Sequence, residues 1–147
     1  MKIGIASDHG GFELKEILIE YLKETGKSIT DFGCFSSKSV DYPDYARKLC
    51  TEIVSGTVSK GILICGTGIG MSIAANRYKG IRATLANDLF SAIMSRRHND
   101  SNVLVLGGRI IGKDLAIEIL NKWLKEPFEG GRHVRRLNKI DDTRGSE

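Results

Sequence analysis

The stretch Gly61-Ile62-Leu63-Ile64-Cys65-Gly66-Thr67-Gly68-Ile69-Gly70 joins a nearly continuous apolar run to a glycine-rich turn. An apolar run of this kind is typical of a central parallel strand that is covered on both faces. The turn leads into residues 72–75, whose sequence Ser-Ile-Ala-Ala favours a helix. The stretch therefore predicts a strand, a tight turn and a helix within a parallel α/β sheet.

Strands and helices alternate in the same way on both sides of this stretch. Four further apolar runs predict strands, at about residues 3–6, 28–32, 81–85 and 102–106. Residues at helical spacing follow the strands, as in the series Leu14, Ile17, Leu18, Tyr21 and Leu22. Parallel neighbours need crossover helices, which pack on the two faces of the sheet. We therefore expect a three-layer α/β/α domain with a five-stranded parallel sheet.

Length and composition fit a single domain. The chain has 147 residues, of which 41% are hydrophobic, so it can bury one continuous core. Seventeen glycines against two prolines indicate many tight turns or close backbone approaches. We expect residues 1–147 to form one domain that ends in a tail helix or arm at residues 129–147. The basic residues of this arm are Arg132, Arg135, Arg136 and Lys139.

The cysteines and the apolar pattern indicate a cellular location. Cys34, Cys50 and Cys65 have neither CxxC nor zinc-ligand spacing, which argues against a disulfide framework or a structural metal site. Cys50 lies on the apolar face of a predicted helix and is expected in the core. The apolar stretch at residues 3–6 is too short for a signal peptide, and no run approaches the roughly 18 residues of a membrane span. We expect a cytoplasmic protein that does not bind membranes.

The residues that follow the strands are the candidates for a functional site, because ligands of parallel α/β sheets bind beyond the carboxyl ends of the strands. In this chain they are Asp8-His9, Cys65 to Gly70 and Gly107-Gly108-Arg109. The glycine-rich turn can point several free N–H groups at one spot and so attract negative charge. It matches neither a Walker loop nor the dinucleotide fingerprint, so a merely tight turn is the alternative.

Cys65 and Thr67 give this turn a possible chemistry. A thiol beside converging amides has its thiolate favoured, which makes Cys65 a candidate base or nucleophile. The alternative is a buried cysteine at the end of a strand. The hydroxyl of Thr67 could take part in the same chemistry or simply cap the helix.

Histidines and arginines supply further candidates. His9 ends the first strand and His98 ends the fourth helix, and we expect both to face the same edge of the sheet and to exchange protons. The segment Gly130-Gly131-Arg132-His133, with Arg135 and Arg136, offers planar guanidinium groups suited to phosphate; a solvated basic tail is the alternative. The net charge of +4 fits an enzyme of phosphorylated metabolites as well as a nucleic-acid-binding protein.

Six short motifs in the same order resemble those of the type B ribose-5-phosphate isomerases and the related galactose-6-phosphate isomerase subunits. The similarity runs from Lys2 to about Lys139, nearly the whole chain. The motifs are Ser7-Asp8-His9-Gly10-Gly11-Phe12, Asp41-Tyr42-Pro43, Ile64-Cys65-Gly66-Thr67-Gly68, Ala74-Ala75-Asn76, Arg96-Arg97-His98-Asn99-Asp100 and Gly130-Gly131-Arg132-His133.

The resemblance implies an aldose–ketose isomerase of the pentose phosphate pathway with a Rossmann-like fold and neither metal nor other cofactor. It also implies a homodimer or a pair of dimers whose sites are shared between subunits, with the arginine-rich arm reaching a neighbouring site. One branch of the family uses a Glu inside the helix in place of the cysteine, and the matching place here is about Met71. Because Cys65 is present, the chain resembles the cysteine branch.

Carried over position by position, the resemblance gives each candidate a role. Cys65 would take a proton from C2 of the sugar and return it at C1, and Thr67 would assist proton movement at the sugar oxygens. The enediolate would be held by the amides of Gly66, Thr67, Gly68, Ile69 and Gly70. His98 would open the furanose ring. The sugar would contact Asp8, His9 and Asn99, the phosphate or nearby hydroxyls would contact Arg109, Arg132 and Arg136, and Tyr42 is a further candidate for a substrate contact.

Three functions remain open from the sequence. The first is the interconversion of D-ribose 5-phosphate and D-ribulose 5-phosphate. The second is the same reaction on a 6-phosphohexose such as allose or galactose 6-phosphate. The third is a non-enzymatic module that binds sugar phosphates or, through Arg132 to Lys139, nucleic acid. The pentose isomerase, with a small sugar phosphate and no nucleic acid as its partner, is the function that we predict.

Overall fold

Five parallel strands form the centre of the molecule. A computed structural model describes residues 1–142, and its strands are β1 (Lys2–Ser7), β2 (Ser28–Asp31), β3 (Lys60–Cys65), β4 (Ala83–Leu85) and β5 (Val103–Gly107). They lie in the order β2-β1-β3-β5-β4. In the register of the sheet, Ile62 of β3 is opposite Ile5 of β1 and Leu104 of β5. The predicted five-stranded parallel sheet is confirmed, and each strand lies within two residues of its predicted bounds.

Six helices accompany the sheet within residues 1–142. They are α1 (Phe12–Glu24), α2 (Tyr42–Val54), α3 (Ile69–Ala75), α4 (Leu89–Arg97), α5 (Lys113–Lys125) and α6 (Arg132–Asp141). The first five alternate with the strands as predicted. The sixth is the expected tail helix; residues 143–147 of the predicted arm lie outside the described part of the chain. No helix within residues 1–142 is long and apolar enough to cross a membrane.

The alternation of side chains along β3 separates two buried layers. Ile62 and Ile64 pack into a cluster with residues of α1, α4 and α5, whereas Leu63 and Cys65 pack into a second cluster with residues of α2 and α3. This arrangement is the predicted three-layer α/β/α sandwich. Cys50 is fully buried in the second cluster, as expected, and burial raises the pKa of its thiol to about 12.

The turns after β1, β3 and β5 meet at the carboxyl edge of the sheet. A Cβ atom at Gly10 would lie 3.1 Å from the backbone nitrogen of Gly66, and one at Gly108 would lie 2.8 Å from the carbonyl oxygen of Gly10. Glycines at these positions therefore allow three backbone segments to approach more closely than side chains would permit. The chain crosses from one half of the sheet to the other between β1 and β3, which makes this edge the expected binding crevice.

Candidate active site

Most of the predicted site residues gather at the carboxyl edge of the sheet. Asp8 and His9 follow β1, residues 65–70 end β3 and open α3, and Arg109 follows β5. Tyr42 is the first residue of α2, and its ring lies so close to Gly70 that a Cβ atom there would be 2.6 Å from the tyrosine Cζ. The contacts between these turns bring side chains from four parts of the chain to one place.

The thiol of Cys65 lies at the base of the glycine-rich turn. Its residue is 5% exposed, and Sγ accepts a hydrogen bond from the amide of Gly68 at 3.1 Å. Gly68 has a φ of 85°, a conformation that favours glycine and turns its N–H back toward the sulfur. Within residues 1–142, no protein group accepts a hydrogen bond from the amides of Gly66 and Thr67. The turn therefore offers N–H donors beside a buried sulfur.

Thr67 has a local role in the same turn. Its Oγ1 accepts a hydrogen bond from the amide of Ile69 at 3.2 Å, which closes a local turn over two residues. The N-cap of α3 is Gly68, and no side chain caps this helix end. Thr67 is exposed, and a hydroxyl that accepts one hydrogen bond can still donate its own proton. The interpretation of Thr67 as a helix cap is therefore wrong, and its hydroxyl remains a candidate for proton transfer.

Asp8 and His9 are held by backbone donors. Asp8 is 6% exposed, and its Oδ1 accepts a hydrogen bond from the amide of Gly11 at 3.1 Å. The Nδ1 atom of His9 accepts a hydrogen bond from the amide of Val40 at 3.2 Å. Because Nδ1 is an acceptor, the neutral ring carries its proton on Nε2. His9 can therefore donate a hydrogen bond from Nε2 to an oxygen of a bound molecule.

Arg109 and a cavity complete this edge. The Arg109 amide donates to the carbonyl of Gly66 at 2.9 Å, and a Cβ atom at Gly66 would lie 3.2 Å from the arginine Nη1. A cavity of about 410 Å³ opens between the first turns of α1 and α5, and its lining includes His9, Gly10 and Arg109. The guanidinium group is thus placed between the glycine-rich turn and a space that could receive a phosphorylated molecule.

Four predicted site residues lie at the opposite, amino edge of the sheet: His98, Asn99, Arg132 and Arg136. The helix α4 begins after the carboxyl end of β4 and runs back, so that His98 and Asn99 precede the start of β5. The tail helix α6 belongs to the same edge, since Arg82, just before β4, pairs with Asp141 at 3.4 Å. Our expectation that His9 and His98 face the same edge is therefore wrong. A residue that ends a strand and one that ends a helix returning to the sheet lie at opposite edges.

A cluster around His98 was not recognised in the sequence. The rings of His98 and His133 stack with their centroids 4.3 Å apart, and Glu129 Oε2 lies 3.9 Å from His98 Nε2 and 3.7 Å from His133 Nε2. Burial lowers the pKa of His133, and the charges of His98 and Arg132 lower it further. The spacing of four residues between Glu129 and His133 was the only signal in the sequence, and it is common on helices.

The hydrogen bond from Val40 to His9 was also missed. The two residues are separated by 31 positions, and Val40 lies in the irregular segment between β2 and α2. Its amide, not its side chain, makes the contact, so the residue type carries no signal. Cys34, for which the sequence suggested no role, is 2% exposed, and its Sγ lies 3.7 Å from the Ser7 hydroxyl.

Comparisons with known proteins agree with this architecture. The model of the Ribose/Galactose Isomerase family matches residues 3–140. The chain is 47% identical to ribose-5-phosphate isomerase B of Escherichia coli K12, over 95% of this chain and 93% of that protein. Solved structures of ribose-5-phosphate isomerase B from Clostridium thermocellum and Thermotoga maritima superpose with TM-scores of 0.95 and 0.94 at 51% and 55% identity. They cover 96% and 95% of this chain and 95% and 97% of their own. The chain therefore belongs to the ribose/galactose isomerase family, as its resemblance to the type B ribose-5-phosphate isomerases predicts.

Proposed function

We propose that the protein interconverts D-ribose 5-phosphate and D-ribulose 5-phosphate through an enediolate, with Cys65 as the base. The observation that carries this proposal is the buried Cys65 sulfur beside the unoccupied amides of Gly66 and Thr67, at the crevice between β1 and β3. The proposed reaction would serve the pentose phosphate pathway. Membership in an isomerase family makes the chain an enzyme, which sets aside a purely sugar-phosphate- or nucleic-acid-binding role.

The proton transfer at carbon is assigned to the glycine-rich turn. Cys65 takes a proton from C2 of the open-chain aldose and returns it at C1, which moves the carbonyl from C1 to C2. Charge builds on the carbonyl oxygen in this step, and fixed N–H donors aimed at that oxygen stabilise the transition state strongly. Among the amides of residues 66–70, those of Gly66 and Thr67 are the proposed donors, because Gly68 already donates to Cys65 Sγ and Ile69 to Thr67 Oγ1. The Thr67 hydroxyl assists proton movement between the two sugar oxygens.

The substrate contacts follow from the positions of the polar groups. Buried Asp8 and the Nε2 proton of His9 face the sugar hydroxyls, Tyr42 lies above Gly70, and Arg109 contacts the phosphate or a nearby hydroxyl. The cavity of about 410 Å³ beside His9 and Arg109 is not lined by residues 65–70, so it gives room for the far end of the sugar phosphate and not for its reacting carbons.

We further propose that each site is shared by two subunits. Cys65 ends β3, so the amino edge lies about 16 Å away along five steps of the strand, beyond the reach of any hydrogen bond. His98, which opens the furanose ring, lies with Asn99, Arg132 and Arg136 at that amino edge. In a homodimer or a pair of dimers, these groups would reach the Cys65 site of the neighbouring chain. The exposed side chains of Ile69 and Ile73, on one face of α3 beside the site, offer an apolar surface for such a neighbour.

The test is the rate of ribulose 5-phosphate formation from ribose 5-phosphate in the presence of a chelator, for the wild type and for Cys65→Ala. Activity that survives the chelator and is lost in the variant is the expected result. Cys50→Ala is the matched control, because it removes a thiol that is buried away from the turn. An active Cys65→Ala variant would show that another group is the base. A wild type that turns over 6-phosphohexoses but not ribose 5-phosphate would assign the same chemistry to the longer sugar.

A further inference from the structure

Three side chains that can ligate a metal ion converge at the amino edge of the sheet. His98, Glu129 and His133 each offer one ligand atom, and these atoms all lie within 4.8 Å of one another. The carboxylate is the centre of the group, because its Oε2 faces the Nε2 atoms of both histidines at 3.9 Å and 3.7 Å. The other oxygen, Oε1, lies 4.0 Å from Arg97 Nε, which leaves Oε2 directed at the imidazoles.

We propose that His98, Glu129 and His133 form a binding site for a divalent transition-metal ion, Zn²⁺ above all, and that the bound ion inhibits the enzyme. Two imidazole nitrogens and one carboxylate oxygen are a donor set that suits zinc and leaves a fourth position for water. The side chains of His98 and Glu129 are 39% and 48% exposed, so an ion can reach the site from solvent. The inhibitory part of this inference rests on the proposed role of His98 in ring opening.

Binding the ion requires one ring to leave the stack. Ligands about 2.0–2.1 Å from zinc in tetrahedral geometry lie about 3.3–3.5 Å apart, slightly closer than the donors here. Nearly parallel rings, inclined by 15°, cannot both direct a lone pair at one ion between them. His133 is 5% exposed and lies within α6, whereas His98 lies at the C-terminal end of α4 with a partly exposed side chain, which leaves space for its ring to rotate. His98 is therefore the ligand that moves.

This movement is the reason for inhibition. Coordination uses the Nε2 lone pair of His98 and turns the ring away from its place in the proposed site, so the group can no longer exchange protons with the sugar. The positive charges of Arg132 and Arg136, which lie close enough to act on His133, repel a bound metal ion and weaken its binding. We accordingly expect a reversible site rather than a permanently occupied one.

The binding test uses Co²⁺ as a spectroscopic probe in the Cys65→Ala variant, because the Cys65 thiol could otherwise ligate the ion. One Co²⁺ per chain, with visible absorption bands of nitrogen and oxygen ligation, is the expected result. Adding Glu129→Gln or His133→Asn should weaken binding by about tenfold or more. His9→Asn, which changes the one remaining histidine, should leave it unchanged. Equal binding in all of these variants, or loss in His9→Asn alone, would overturn the site.

The activity test follows the isomerase rate of the chain with Cys65 intact as Zn²⁺ is added and then removed with a chelator. Wild type should be inhibited and recover, and Glu129→Gln should need about tenfold more Zn²⁺ for the same fractional inhibition. Inhibition that is unchanged in Glu129→Gln would assign the effect to Cys65 and refute the inhibitory role. If ribose 5-phosphate is not a substrate at all, the Co²⁺ titration still decides whether the site exists.

Discussion

Two inactive variants should restore each other when they form mixed dimers. Cys65→Ala loses the proposed base, and His98→Asn loses the ring-opening group, which we expect to cost about 100-fold or more in rate. Because the two residues lie at opposite edges of one sheet, about 16 Å or more apart, a single chain cannot combine them in one site. In a mixed dimer, one site receives Cys65 from one chain and His98 from the other and is intact, and the second site lacks both.

The expected activity follows from the number of intact sites, which is one of the two in each mixed dimer. A purified mixed dimer should have about half of the wild-type rate, and an unsorted equal mixture with random pairing should have about one quarter. The two variants are co-expressed with different affinity tags, and the mixed species is isolated by successive purification on both. A Cys65→Ala chain paired with a Cys65→Ala/His98→Asn chain is the control and should remain inactive. Isolated mixed dimers without activity would refute the shared site, and so would a failure to isolate any mixed species.

Three further predictions concern single substitutions. Val40→Pro removes the amide N–H that donates a hydrogen bond to His9 Nδ1. The KM for the sugar phosphate should therefore rise, and nitrogen NMR should show a mixture of the two His9 tautomers. Val40→Ala keeps the amide and should resemble wild type. Gly70→Ala pushes the Tyr42 ring aside, so KM should rise several-fold. Because alanine has a higher helix propensity than glycine, the free energy of unfolding should stay within about 1 kcal/mol of the wild-type value. A large loss of stability would contradict this prediction. Burial raises the pKa of Cys50 from 9.0 to about 12, so above pH 9 the unfolded chain releases a proton that the native state keeps and wild-type stability falls. The stability difference between wild type and Cys50→Ala should then narrow from pH 8 to pH 10 in urea unfolding, and a constant difference would show that Cys50 ionises equally in both states.

The sheet could be predicted because its strands leave strong local signals. The run from Gly61 to Cys65 is apolar throughout, as expected of a strand that is covered on both faces. The glycine-rich sequence that follows it indicates a tight turn at the end of this strand. The strand β4 is the least accurate, since the structure begins it at Ala83 where the apolar pattern begins at Ile81. Ile81 is buried in the cluster that includes residues of α2 and α3, but it does not pair with β5. An apolar pattern indicates which residues are buried, but it does not show which of them form hydrogen bonds with a neighbouring strand.

Contacts of the candidate site between residues that are far apart in the sequence could not be predicted. The approach of Glu129 to His98 joins the end of α4 to the segment before α6, and the contact from Val40 to His9 joins a loop to a strand end. Neither pair has a local sequence pattern, because the packing of whole helices and loops brings the groups together. The stack of His98 on His133 likewise requires the position of α6, which the basic composition of the arm does not specify.

The error about His98 has a general physical cause. In a parallel sheet every strand points the same way, so residues that follow strands meet at one edge, and residues that follow returning helices meet at the other. Cys65 ends a strand and His9 and Arg109 follow strands, whereas His98 follows a helix. A catalytic set drawn from both kinds of position cannot meet within one such domain. If the chemistry of both edges is used in one reaction, a second copy of the chain is required, and the assembly becomes part of the active site.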